Sequence, residues 1–257
     1  MVFFKKTAYF ILKLIQSSTA CGNKLVTLGS NYGKWTICSC SNHLPKNSFM
    51  ISSGVGEDIS FDIEVISKFG TMVLLIDPVI RAKNHVEDYL INSTDKKISN
   101  YSFGGKRKVT EYISNSRIKE SIIFIPFALW NSSKNLKFWP PENSENVSYS
   151  INKRNSVVPI IYSTITVKEI IKQYQLHIAN KVFAIFKMDI EGAELNNLIF
   201  SKAWRNVKQV LIEFDSLREM KIITFIKFIS AIITLRKEHY TLISIEGLNT
   251  LWLKYEK

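Results

Sequence analysis

Phe49-Met-Ile-Ser-Ser-Gly54-Val-Gly56-Glu-Asp58 reads as a buried strand, a tight glycine turn and the entry to a helix. Glycine lets the backbone turn sharply and leaves no Cβ in the way of a ligand. Behind the turn, Ile59, Ile63 and Ile66 form an i, i+4, i+7 stripe, and Gly70 stands where a helix C-cap is expected. A second apolar run, Met72-Val-Leu-Leu-Ile76, ends in Asp77-Pro78, and Asp77 lies 21 positions after Gly56. In a parallel pair with a right-handed crossover, that acid stands beside the glycine turn.

A carboxylate in that place can accept both hydroxyls of an adenosine ribose. The dinucleotide pattern G-x-G-x-x-G is incomplete, because Ile59 occupies the third glycine position. Glu57 and Asp58 would also repel a pyrophosphate. A cationic nucleoside such as S-adenosylmethionine suits the turn better, its ribose facing Asp77 and its ammonium near the acids. The same two glycines also fit a plain strand–helix turn with no ligand.

Working outward, apolar runs that suit buried strands recur at Ser48–Ser52, Ile122–Phe127, Val182–Met188 and Val210–Phe214. Helical patterns lie between several of them, including Leu195, Leu198 and Ile199 on one face. Alternation of strand and helix implies a parallel sheet covered on both faces. Tyr240–Ile245 and Thr250–Lys254 flank Gly247-Leu-Asn249 and predict a terminal antiparallel hairpin. The polar stretch Ile91–Lys119 has no clear pattern.

A second acidic group follows the strand Val182–Met188: Asp189-Ile-Glu191-Gly-Ala-Glu194. Open α/β sheets bind ligands beyond the carboxyl ends of their strands, which is where Asp189 falls. Three carboxylates at one turn can orient a substrate hydroxyl, take its proton or hold a divalent cation through oxygen ligands. The competing reading is helix capping, with Asp189 as N-cap and the glutamates in the first turn. His43, His85, His177 and His239 stand in no motif and read as surface residues.

Composition bounds the rest. The chain has 257 residues, 46% of them apolar and 22% charged, which excludes a disordered tail or a disulfide-dense miniprotein. Lys and Arg outnumber Asp and Glu by 34 to 22, a net charge of +12 that favours an anionic partner or surface. Without a dense basic block interleaved with aromatics, nucleic acid is not the expected partner. Cys21, Cys38 and Cys40 cannot all pair, and their spacing matches no zinc knuckle, so a reducing cytoplasm is the simplest compartment.

The N-terminal apolar run Ala8–Ile15 is interrupted by Lys13 and falls far short of the ~20 residues needed to span a bilayer. Lys5 and Lys6 before it, and the small residues Ser17–Cys21 after it, faintly imitate a signal peptide. A docking or membrane-surface helix fits as well. The apolar run Ile222–Leu235 carries Lys227 and reads as a buried amphipathic helix.

Three blocks resemble the FkbM-type family of S-adenosylmethionine-dependent methyltransferases. They are Ser52–Asp62 through Asp77-Pro78; Ala128-Leu-Trp130, Leu136–Pro141 and Val147–Ile151; and Phe186–Glu194 followed by Val210–Asp215. The resemblance implies a class I methyltransferase (Rossmann-like) α/β sandwich, with a mostly parallel seven-stranded sheet and a C-terminal antiparallel hairpin. It implies a methyltransferase domain over residues 46–257, preceded by a helical or docking extension over 1–45. Ser52, Ser53, Gly54, Gly56, Glu57, Asp58 and Asp77 would surround the cofactor, with Phe127, Ala128 and Leu129 bordering its adenine. Asp189 would be the base or orienting group, seconded by Glu191 and Glu194, with no metal assigned. The implied reaction is O-methylation of a sugar hydroxyl or glycan precursor, such as a surface polysaccharide or lipid-linked intermediate. The expected setting is the cytoplasm, peripheral association with the inner face of the membrane included. Ser52 departs from the acid common at the end of the first strand in class I methyltransferases. The alternative is a non-catalytic Rossmann-like binding or scaffold protein in glycan assembly.

Overall fold

The computed structural model describes residues 2–17, 21–91, 108–143, 147–153, 157–218 and 221–255. Its helices are α1 (Val2–Ile15), α2 (Ser60–Phe69), α3 (Ile80–Ile91), α4 (Ser116–Glu120), α5 (Val167–Gln173), α6 (Gln175–Ile178), α7 (Glu194–Phe200) and α8 (Ile222–Lys237). Its strands are β1 (Leu25–Leu28), β2 (Trp35–Cys38), β3 (Ser48–Ser53), β4 (Met72–Ile76), β5 (Ile122–Ile125), β6 (Ala128–Leu129), β7 (Asn135–Phe138), β8 (Ile160–Ile165), β9 (Val182–Met188), β10 (Gln209–Glu213), β11 (Tyr240–Glu246) and β12 (Asn249–Lys254).

Seven strands form the main sheet in the order β11-β12-β10-β9-β3-β4-β5. The pairs β10–β9, β9–β3, β3–β4 and β4–β5 are parallel, while β12 runs antiparallel to β10 and β11. This is a mixed, Rossmann-like sheet. From β3 the chain winds outward through β4 and β5, then returns to place β9 on the other side of β3. The reversal opens a crevice between β3 and β9, the topological switch point where such sheets take ligands. Two further sheets are small: the β1–β2 hairpin, and β6-β8-β7 beside the strand ends.

Alternation along the strands divides the core in two. Phe49, Ile51, Leu74, Ile76, Val210 and Ile212 face one layer; Met50, Val73, Leu75 and Leu211 face the other. The first layer is closed by α1, α5, α7 and α8, through Leu12, Ile170, Leu198 and Phe228 among others. The second is closed by α2, α3, α4 and the β1–β2 hairpin, through Ile63, Val86, Ile118 and Trp35. Cover on both faces explains why the central strands read as continuous apolar runs. Gly70 ends α2 in the left-handed conformation, φ 67°, its N–H donating to Ile66 O.

The predicted strands Met72–Ile76 and Val182–Met188 match β4 and β9, and the terminal hairpin forms as β11–β12. Other boundaries shift by one or two residues: the run to Phe127 stops pairing at Ile125, the run Val210–Phe214 becomes Gln209–Glu213, the run Ser48–Ser52 extends to Ser53, and the hairpin strands reach Glu246 and Asn249. Within the polar stretch Ile91–Lys119, residues 92–107 lie outside the described residues. So do residues 18–20 of the signal-like run. His43 and His85 are buried, 6% and 0% exposed, which corrects their reading as surface residues. His85 Nε2 lies 2.8 Å from the Tyr112 hydroxyl.

The described residues before β3 are wired into the domain. Ala8 and Leu12 of α1 are 0% and 2% exposed within the first core layer. Ser17 N–H donates to Leu242 O at 2.8 Å, and Gln16 bridges to the same strand. The side chain of Gln209 in β10 holds the hairpin, accepting from Cys38 N–H and donating to the Cys38 and His43 carbonyls. A disulfide joins Cys21 to Cys38, and Cys40 Sγ lies 3.2 Å from Cys38 Sγ. The Cys21–Cys38 bond is a pairing that the spacing of the three cysteines did not suggest. It departs from the reduced thiols expected of a cytoplasmic chain. No helix among the described residues is long and apolar enough to cross a membrane.

Leu12→Ala removes a side chain from a filled layer. It is expected to lower unfolding free energy by about 2–5 kcal/mol, measured by chemical denaturation. A change below about 0.5 kcal/mol, the scale of a neutral surface substitution, would mean that α1 contributes nothing to the fold.

Candidate functional site

At the carboxyl ends of β3, β4, β9 and β10 lies a cavity of about 370 Å³. That is within the range of small-molecule sites, roughly 300–1,000 Å³. Its walls come from far-separated parts of the chain: the turn after β3, the end of β4, β6, the Val147–Tyr149 segment, the turn after β9, Glu213 and Arg218, and the loop and strand of the N-terminal hairpin.

The glycine turn is built around two constraints. Gly54 has φ +76°, and a Cβ there would sit 1.5 Å from Asp189 O. Only glycine allows this approach of the β3 end to the β9 end, which Asp189 N–H cements by donating to Ser53 O at 3.1 Å. Gly56 also takes a left-handed φ, +59°. Asp77 then clasps the turn: Oδ2 accepts from Val55 N and Gly56 N at 2.9 and 3.0 Å, and Oδ1 accepts from Val79 N at 2.8 Å. The sequence placed Asp77 beside the turn to receive a ribose. The structure gives it three backbone partners, leaving lone-pair capacity mainly on Oδ1. Burial raises its carboxyl above the usual range, and the three N–H donors oppose that rise.

The other acids of the turn are also engaged. Glu57 is 4% exposed and paired with Arg81, at 2.7 Å from Nη2 to Oε2 and 3.2 Å from Nε to Oε1. Asp58 accepts from the Ser30 hydroxyl, and from Ser60 N at 2.9 Å at the start of α2. It therefore ties the N-terminal hairpin to the turn. Ser52 and Ser53 are buried at the strand end beneath the cavity. Ala128 and Leu129 line the cavity as expected; Phe127 instead packs against the core.

Across the cavity, Asp189 and Glu191 both reach the lining. Glu191 holds a left-handed φ of +47°, and its carbonyl accepts from the Ser150 hydroxyl. Glu194 does not line the cavity. It is 0% exposed, and its Oε1 accepts from Ser216 N and Oγ at 2.9 and 2.6 Å. As the first residue of α7, it faces inward and braces the segment after β10. Its expected place beside the chemistry is therefore corrected to a strut.

The sequence reading missed the residues that complete the acid group. Glu213 and Asp215, at the end of β10, bring carboxylate oxygens within 4.8 Å of that of Asp189. Arg218 pairs with both, at 2.6 Å to Glu213 and 2.8 Å to Asp215. Lys187, buried in β9, lies 3.7 Å from Asp189, donates to Gly54 O at 3.0 Å and sits over the Trp35 ring at 5.2 Å. Three oxygen donors at this spacing could receive a cation such as magnesium; here Lys187 and Arg218 already supply positive charge. Burial lifts the Asp189 carboxyl to about 7, helped by Glu213 and opposed chiefly by Lys187. Burial and the neighbouring carboxylates also push Asp215 far up. Asp62, another missed lining residue, is raised to about 6 by burial against the pull of Lys187. Tyr32 stands at the mouth, where partial burial and then the charge of Asp189 raise its hydroxyl.

The electrostatic sum is opposite in sign to that of the chain. Seven carboxylate residues line the cavity (Glu57, Asp58, Asp62, Asp77, Asp189, Glu191, Glu213) against two basic residues, Lys187 and Arg218. The chain as a whole carries +12. Compared with known proteins, the chain matches no family model, no curated protein and no solved structure.

The Asp189 carboxyl, followed by carbon NMR, is expected to titrate with a midpoint near 7. Lys187→Met removes the cation that opposes the rise, so the midpoint should move higher. An Asp189 midpoint near 4 in the folded wild type, the value of a solvated carboxylate, would contradict this account of the site.

Proposed function

We propose that the chain is an S-adenosylmethionine-dependent O-methyltransferase acting on a hydroxyl of a sugar or glycan precursor. The observation that carries the reading is the acidic cavity at the switch point of a Rossmann-like sheet inside a basic protein. Seven carboxylates suit a nucleoside bearing a sulfonium and an ammonium. They disfavour the pyrophosphate of a nicotinamide dinucleotide, as does Ile59 at the third glycine position. The resemblance of the glycine turn and the Asp189–Glu194 block to FkbM-type methyltransferases supports the same reading.

S-adenosylmethionine, when bound, supplies an electrophilic methyl group on sulfur. The chain's own contribution is to orient and to handle a proton. The glycine turn, held by Asp77, bares its backbone at Gly54 and Gly56, along which the nucleoside can lie. Asp189 retains 31% side-chain exposure toward the cavity and has a carboxyl poised near 7. It can accept the acceptor's hydroxyl proton as the oxygen–carbon bond forms and the carbon–sulfur bond breaks with its electron pair remaining on sulfur. Aligning oxygen, carbon and sulfur in line supplies much of the rate. Tyr149, half-buried at the lining, gives the cavity an aromatic ring against which a sugar can rest.

Calorimetric titration with S-adenosylmethionine and S-adenosylhomocysteine tests the reading. Micromolar binding is expected in the wild type. Asp77→Ala should lose about 1–3 kcal/mol of it, because Val55 N and Gly56 N of the turn, and Val79 N beyond β4, lose their acceptor. Asp189→Asn should bind the cofactor as the wild type does but turn over slowly. Wild-type turnover should rise with pH through about 7, since the base works deprotonated. A folded wild type that binds neither ligand would sink the enzyme and favour the scaffold alternative.

A further inference from the structure

Helices α1 and α8 lie side by side on one flank, with the rings of Phe4 and Phe225 5.3 Å apart. Each spends one apolar stripe on the core: Ala8 and Leu12 from α1, Phe228, Ala231 and Leu235 from α8. Each also turns a second apolar stripe outward. On α1, Phe10 and Leu14 are 62% and 67% exposed; on α8, Ile222, Ile226 and Ile233 are 65%, 58% and 48% exposed. The α8 residues recur at i, i+4 and i+11, one line along the helix. A surface helix of a globular protein ordinarily presents polar residues on that side.

Both helices carry charge of one sign. Neither α1 nor α8 contains an acidic residue. Lys5, Lys6 and Lys13 are exposed on α1; Lys221 and Lys227 are exposed at the start of α8 and one turn in. Protein–protein interfaces are depleted in lysine. Lysines interleaved with exposed Phe, Leu and Ile along a helix are instead the pattern of a surface that lies on a lipid bilayer.

We propose that the α1–α8 flank docks on anionic membranes. Phe10, Leu14, Ile222 and Ile226 enter the boundary between headgroups and acyl chains, and the lysines meet lipid phosphate and carboxylate groups. Because the inner stripes are already fixed in the core, the surface is preformed and binding requires no folding step. This revises how the N-terminus can act: α1 is one half of a composite face and cannot be removed without baring the core. The inference stands independently of the methyltransferase reading.

The test is co-sedimentation of the full chain with phosphatidylserine–phosphatidylcholine vesicles and with pure phosphatidylcholine vesicles. Wild type is expected to partition at least ~10-fold more strongly onto the anionic vesicles, given about fivefold per lysine near the surface, and to release at high salt. A Phe10→Ser, Leu14→Ser, Ile226→Ser variant should stay folded by circular dichroism, since all three side chains are exposed, and should lose binding to both vesicles. A Lys5→Gln, Lys6→Gln, Lys13→Gln variant should keep its binding to phosphatidylcholine vesicles and lose most of the anionic preference, the remainder resting on Lys221 and Lys227. Folded wild type that remains in the supernatant with anionic vesicles at low salt overturns the proposal. Serine-variant partitioning equal to wild type does so too. Self-association of the wild type in sedimentation velocity, abolished by the serine changes with no vesicle binding, would overturn it in favour of a dimer interface.

Discussion

The site depends on one close approach, that of Gly54 to the Asp189 carbonyl. A side chain at Gly54 would push the ends of β3 and β9 apart. That would separate the glycine turn from the acid group and widen the crevice at the switch point. The contact is set by shape, and the electrostatics follow from it. Lys187 donates to Gly54 O from the same place and stands close to Asp189. Asp77 holds the far side of the turn through Val55 and Gly56. Backbone geometry thus decides where the charges of the cavity can stand.

Those charges are concentrated against the trend of the molecule. A chain of +12 would drive anionic ligands toward its surface, yet its cavity is lined mainly by carboxylates. The two regions are thus opposite in sign, carboxylates prevailing inside the cavity and lysine and arginine over the chain as a whole. Burial of acids costs free energy unless they are paired or protonated, and the structure uses both remedies. Arg81 pairs with Glu57, and Arg218 with Glu213 and Asp215, while burial holds Asp62 and Asp189 above the usual carboxylate range. An acid kept near neutrality by its surroundings is useful as a base.

Legibility in the sequence followed burial. Met72–Ile76 and Val182–Met188 could be read directly, because strands covered on both faces are apolar without interruption. The β1–β2 hairpin was missed: its strands are four residues long, and Leu25–Leu28 buries only Leu28. Glu191 and Glu194 looked alike in sequence and met opposite fates. The first sits in a left-handed turn at the cavity; the second opens a helix and is enclosed by Ser216. Glu213, Arg218, Tyr32 and Trp35 carry no local signal, since only the sheet topology brings them to Asp189. Asp77 was placed correctly beside the turn, but its three N–H partners belong to a backbone geometry that spacing alone does not reveal.

The bond from Ser17 to Leu242 has a consequence for biosynthesis. During translation α1 is made long before β11, the strand it packs against, because Ser17 and Leu242 lie far apart in the chain. The inner stripe of Ala8 and Leu12 therefore waits for its partner while the intervening residues are made, beside an outer stripe that stays exposed in the fold. Until then the nascent chain displays a sticky helix on both sides, a natural client for chaperones that hold hydrophobic segments.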